Sequence, residues 1–252
     1  MSEFLKKLEE IYRGKARSIG FGAAAKSKAP ALMMVGCLTS LDEEPPQIAI
    51  SSKVDALLYD IKDGAGQAYT IAKLAKNDDK IPWGVRVQKA GPEGINRLAE
   101  AGCDFVVLDD DSLAQVLQEE KMDKVLEVDP SLKDGSLRAI GQLPVDALFI
   151  AEDKHSGSLT INQLLNYHRV TGFAGKYSLA SLPKELSDLG ALRDSGIKGI
   201  VMEVSGKDIE ARIKEVQESI RKLPTTKSRK SKGEGFALLP TTGEVEEIES
   251  EY

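Results

Sequence analysis

The chain has 252 residues, of which 41% are apolar and 29% charged, with a net charge of −6. That balance suits a soluble globular fold and argues against a dedicated nucleic-acid binder, which needs a basic face. No run approaches the ~18 apolar residues of a membrane span, the charged start MSEFLKKLEE does not read as a signal peptide, and two cysteines without a CxxC are too few for a disulfide framework. The expectation is a cytoplasmic protein with reduced thiols and with neither nucleic acid nor membrane as partner.

In chain order, residues 1–13 predict an amphipathic helix, with Phe4, Leu5, Leu8, Ile11 and Tyr12 on one stripe. Such a helix packs under or beside the main fold, or offers its stripe to a partner. The first strand is expected over Ala31–Leu38 and the second over Asp55–Ile61; Pro45-Pro46 leaves little room for a helix between them. The third strand, Ile81–Val87, leads to a helix over Gly91–Ala101, with Pro92 at its start. The fourth, Asp104–Asp109, leads to a helix over Ser112–Lys121. A fifth follows over Lys124–Asp129 and a sixth over Asp146–Ala151. Ser158 is placed to cap a helix running to Val170. The seventh strand, Lys176–Leu182, precedes a helical Pro183–Ser195, and the eighth, Gly199–Val204, precedes a helix over Lys207–Leu223. Gly102, Gly196 and Gly199 fall where helices end and strands begin. From Pro224 the composition changes to a basic block (KSRKSK), a weakly apolar stretch holding Phe236, Leu238 and Leu239, and the acidic EVEEIESEY. This tail buries too little to offset its chain entropy.

Near-continuous apolar strands alternating with helices imply a parallel sheet covered on both faces. Eight βα units, each roughly 20 to 30 residues long, make a (β/α)8 TIM barrel of residues 1–223, with 1–13 as an extra helix and 224–252 as a charged tail. An open doubly wound sheet is the rival, but no glycine fingerprint follows the first strand. No internal repeat stands out beyond the βα rhythm.

In such a barrel the site lies at the C-terminal ends of the strands. Side chains alternate along a strand, so bulky residues should face the helices and small or polar ones the axis. This places Asp60 and Lys62 of strand two, Arg86 and Gln88 of strand three, Glu127 and Asp129 of strand five, and Glu203 and Ser205 of strand eight at one mouth. Either Asp109 or Asp110 tops strand four, and the parity of Glu152-Asp153-Lys154-His155 after strand six stays open. Buried charge must be paired, so one reading is an ion-pair network in which Arg86 bridges Glu127 and Glu203. Clustered carboxylates also suit acid–base catalysis, with Glu127, Asp129 and Glu203 transferring protons. A Mg²⁺ site of carboxylate oxygens is a third reading. Lys62 either pairs with Asp60 or Asp63 or, desolvated, forms a Schiff base; Lys154 is a second Schiff-base candidate. Asp60, Arg86, Gln88, Asp109, Glu152, Ser205 and Gly206 are candidate substrate contacts, Ser205-Gly206-Lys207 resembling a helix-N-terminal anion site. His168 reads as structural, Cys103 as inert and Cys37 as a small buried hydrophobe.

Two stretches, INRLAEAGCDFVVL (Ile95–Leu108) and LGALRDSGIKGIVMEV (Leu189–Val204), resemble the broad group of phosphate- and flavin-binding barrels in their helix–Ala/Ser-Gly–strand cadence. The resemblance implies the superfold and no single family; the glycine pairs those families place after strands seven and eight are absent here. The functional expectation is a lyase or isomerase of small-molecule metabolism acting on an anionic carbonyl or phosphorylated metabolite by acid–base or Schiff-base chemistry. The alternative is a catalytically silent barrel serving in binding or assembly. The cofactor is unassigned, and a homo-oligomer is compatible with the sequence.

Overall fold

The computed structural model describes residues 2–13, 30–41, 54–75, 81–151, 158–183, 185–205 and 208–224. Eight parallel strands close on themselves in chain order: β1 (Met33–Leu38), β2 (Ala56–Tyr59), β3 (Trp83–Val87), β4 (Phe105–Leu108), β5 (Asp123–Val128), β6 (Ala147–Ile150), β7 (Tyr177–Ser181) and β8 (Gly199–Glu203). The last pairs with the first, Met33 opposite Gly199 and Cys37 opposite Glu203. The chain is therefore a TIM barrel, and the open sheet is excluded. The helices are α1 (Glu3–Arg13), α2 (Ala68–Ala75), α3 (Pro92–Ala101), α4 (Asp134–Gln142), α5 (Ile161–Ala174), α6 (Leu189–Asp194) and α7 (Ile209–Lys222). No helix among the described residues is long and apolar enough to cross a membrane.

Several local expectations change. Ser112–Lys121 forms only a 3-10 helix over Ala114–Gln118, in which Val116 is the one buried residue and so the only core anchor. Pro183–Ser195 divides into a 3-10 turn, Leu186–Asp188, and α6. At the join, the Asp188 carboxylate accepts the Leu159 N–H at 2.7 Å and ties this turn to the start of α5. Helix α5 is capped by Thr160, not Ser158: Thr160 Oγ1 accepts the Gln163 N–H, and Gln163 Oε1 accepts the Thr160 N–H. This reciprocal capping box satisfies two otherwise orphaned donors. Gly102 and Gly196 turn the chain out of their helices at φ 85° and 100°, values that disfavour any residue with a Cβ.

Two shells of apolar side chains hold the barrel. The outer one lies between the strands and the helices and includes Leu57, Tyr59, Val85, Val106, Met202 and Val204. The inner one fills the lumen with Met33, Val35, Leu58, Phe105, Val107 and Phe149. The expectation that bulk points outward therefore fails in the lower lumen. Small partners make the room: a Cβ at Gly84 would come within 2.5 Å of the Phe105 ring. Helix α1 closes the bottom. Phe4 and Leu8 are fully buried in the inner shell, and the Phe4 ring stacks on Phe105 at 3.9 Å and 15°. Lys7 Nζ donates to the Asp55 carbonyl at 2.7 Å, and the Ser2 hydroxyl donates to the Asp123 carboxylate.

The strand entries repeat in pairs. Asp55, Asp104 and Asp146 each stand one residue ahead of an even strand. Each accepts an N–H of the preceding strand, from Met34, Trp83 and Lys124 at 2.8, 3.1 and 2.8 Å, while its own N–H donates back to the same residue's carbonyl. Lys198 occupies the equivalent position ahead of β8 and keeps only the backbone bond, to Ser178. The similarity of Val54-Asp55-Ala56-Leu57-Leu58 to Val145-Asp146-Ala147-Leu148-Phe149 is the sequence trace of this repeat.

Truncating the plug tests its weight. Phe4→Ala should cost about 3–5 kcal/mol, as for other fully buried aromatics, and lower the urea midpoint accordingly. A loss under about 1 kcal/mol would mean that α1 rests on the barrel without sealing it.

Candidate functional site

All strands run the same way, so their C-terminal ends form one mouth, at the opposite end from α1. Alternation along β2, β3 and β5 aims Asp60, Arg86 and Glu127 into the lumen, above Leu58, Gly84 and Val125. There Arg86 is gripped from two sides. Its Nε and Nη2 donate to Glu127 Oε2 and Oε1 at 2.8 and 2.6 Å, a bidentate fork, and its Nη1 donates to Asp60 Oδ2 at 2.8 Å. The three side chains are only 24%, 23% and 34% exposed, so the pairs are largely shielded from screening. The guanidinium also stands 5.9 Å from the centre of the Phe149 ring. Burial alone disfavours its charge, but the bonds to Glu127 and Asp60 prevail and raise its pKa above the ordinary guanidinium value.

The second partner of Arg86 is thus Asp60, not Glu203. The reason is distance around the ring: β2 neighbours β3, whereas β8 lies beyond β1. Glu203 is exposed and accepts the Ser205 hydroxyl at 2.8 Å. Asp109 is the carboxylate that tops β4, and it organises a loop: it accepts the Lys89 N–H at 3.0 Å and the Ser112 hydroxyl at 2.6 Å. Asp129 is exposed and holds the next turn through the Ser131 N–H, a bond that lowers its pKa. Gln88 is exposed at the rim. Lys62 is exposed as well, and the ion pair to Asp60 or Asp63 does not form. Glu152, Lys154, His155, Gly206 and Lys207, like Pro45-Pro46 and the tail with Phe236, Leu238 and Leu239, lie outside the described residues. Among the described residues no three His, Cys, Asp or Glu side chains converge as a metal ion requires, which leaves the Mg²⁺ reading without a ligand set there.

Two neighbours of Arg86 escaped the sequence. Phe149 forms the floor beside Glu127, its register partner, and Cys37 lies between Leu58 and Glu203. Both read as ordinary strand hydrophobes; only the parity of Ala147, Phe149 and Ala151 points to the first. Cys37 is a probe of its surroundings. Burial, then the nearby Asp60 charge, push its thiol up to about 12; Arg86 acts against this and Glu203 adds to it. The potential that the thiol feels is therefore negative despite the guanidinium.

No protein-family model matches the chain, and no curated protein does. Solved structures do. A mutant of the tryptophan synthase alpha-subunit from the hyperthermophile Pyrococcus furiosus superposes with a TM-score of 0.62 at 11% identity, over 76% of this chain and 98% of that one. A second structure of that subunit gives 0.59 at 13% identity, with the same coverage. At such identity the likeness is one of fold.

The cysteine environments make a direct prediction. Cys103 is also pushed up by burial. A thiol near 12 is only about one part in 10⁴ thiolate at pH 8. Neither thiol should react with a disulfide reagent in the folded protein at that pH, and both should react after denaturation; rapid labelling of native Cys37 would mean an open lumen.

Proposed function

We propose that this barrel is an enzyme of small-molecule metabolism, of lyase or isomerase type, working by acid–base chemistry at the mouth. The observation that carries the reading is the state of Arg86. Three of its five N–H donors are committed to Glu127 and Asp60. The fork holds the guanidinium in place, and two donors remain to polarise a substrate carbonyl oxygen. Glu203 is the proton-transfer group, because its only hydrogen-bond donor among the described residues is the Ser205 hydroxyl. Glu127 and Asp60 orient Arg86, and Asp109 and Asp129 hold the loops around the mouth. Lys62, exposed and without an ion pair among the described residues, takes the anionic end of a carboxylate or phosphate substrate at the rim. A lysine that exposed is not desolvated, so acid–base chemistry is preferred to a Schiff base at this position. The TIM-barrel neighbours, alpha subunits of tryptophan synthase, support a metabolic barrel at this coarse level.

The second reading, a silent binding or assembly barrel, draws support from the same network, since carboxylates that already grip an arginine have no need of a substrate. A thermal-shift screen with keto acids and phosphorylated sugars separates the two. The enzyme reading expects a ligand that raises Tm by mass action. It expects Arg86→Lys to weaken that ligand by ~10-fold or more, because the fork is lost while the charge remains. With turnover in hand, Glu203→Gln should fold normally and lose ~10²–10⁴-fold in kcat. A screen without a single stabilising compound, or a Glu203→Gln enzyme of full activity, contradicts it.

A further inference from the structure

A second cleft among the described residues lies at the other end of the barrel. It measures about 480 Å³ and sits between the end of α1, the ends of α5 and α6, and the entries of β6, β7 and β8. We propose that this cleft is a binding site for an anionic group, a carboxylate or a phosphoryl, received by Lys198 and Lys176. The charges of the cleft are unevenly used. Its two carboxylates already have donors: Asp194 accepts Arg193 Nε and Nη2 at 2.9 and 2.7 Å, and Asp146 accepts the Lys124 N–H. Lys176 gives one hydrogen bond, to the Leu143 carbonyl at 3.2 Å, and keeps two donors. Lys198 gives none. Half-buried, it has no carboxylate or carbonyl within bonding distance among the described residues; its one close partner is the Tyr12 ring, 5.6 Å away and itself packed edge-on against Tyr177.

A cation on a ring face is worth roughly 0.5–1 kcal/mol at an exposed site, which does not replace three hydrogen bonds to water. Burial accordingly lowers the pKa of Lys198, neighbouring Arg193 lowers it further, and Asp194 works against both. Lysines often serve the carbonyls at helix ends, but Lys198 bonds to no carbonyl among the described residues; the nearby Ser195 carbonyl faces the Thr171 hydroxyl at 2.8 Å. An anion in the cleft supplies the missing acceptor. The repeat at the strand entries gives the same result: where β2, β4 and β6 have an aspartate bonded back to the barrel, β8 has a lysine with its head free for the cleft.

The anion has two sources, a free small molecule or the carboxylates of this chain's own Glu244, Glu246, Glu247, Glu249 and Glu251, which follow Pro224, a residue held by Arg193 at the same end. The experiment is calorimetric titration of the full chain with citrate and with pyrophosphate. Binding should weaken by ~10-fold or more in Lys198→Gln, the loss of a charge-assisted contact, less in Lys176→Gln, and not at all in the exposed Lys214→Gln. Binding that emerges only when the five glutamates are changed to glutamine keeps the site and identifies its occupant as the chain itself. The proposal is overturned if neither form binds either probe, or if Lys198→Gln binds as tightly as the parent. None of these outcomes depends on activity at the mouth.

Discussion

A guanidinium inside a barrel is tolerable only where something matches its charge and its geometry, and here Glu127 and Asp60 do both. That contact joins β2, β3 and β5 through side chains, in addition to the backbone ladder. It leaves the mouth with a fixed donor surface instead of a flexible arginine. It also explains why Glu203, separated from β3 by β1 and β2, is left to face solvent.

The two ends of the barrel are built on opposite principles. At the bottom, α1 inserts Phe4 and Leu8 where the lower lumen would otherwise be open, and aspartates lock the strand entries to their neighbours. Those positions carry stability. At the top no such plug exists among the described residues, and the charged groups remain a quarter to a third exposed. Arginine and glutamate are affordable there because apolar packing below them, from Met33 to Phe149, already holds the strands.

Most of the fold was legible because the strands are buried on both faces and so read as short apolar runs at even spacing. Parity along β2, β3, β5 and β8 was also legible, since Leu57, Val85, Val128 and Met202 leave Asp60, Arg86, Glu127 and Glu203 on the other face. Pairing was not, because it depends on neighbourhood around a closed ring: Asp60 and Glu203 look equivalent in one dimension and are not equivalent beside β3. Helices α2 and α4 are eight and nine residues long, too short to show a clear period, and the latter carries Gly135 and Gly141. The cleft at the bottom was invisible, because its lining comes from the ends of elements distant in sequence. The inward Phe105 was hidden for a related reason: the room for its ring is left by Gly84 on the neighbouring strand.

The grip of Glu127 on Arg86 can be measured as a coupling. A double-mutant cycle with Arg86→Met and Glu127→Met isolates the pair from the effects of each single change. A fork this shielded should give a coupling of about 1.5–3 kcal/mol, only slightly reduced by added salt. A coupling below about 0.5 kcal/mol, or one abolished by salt, would show a solvated mouth in which Arg86 is not held, and would contradict the account of that end of the barrel.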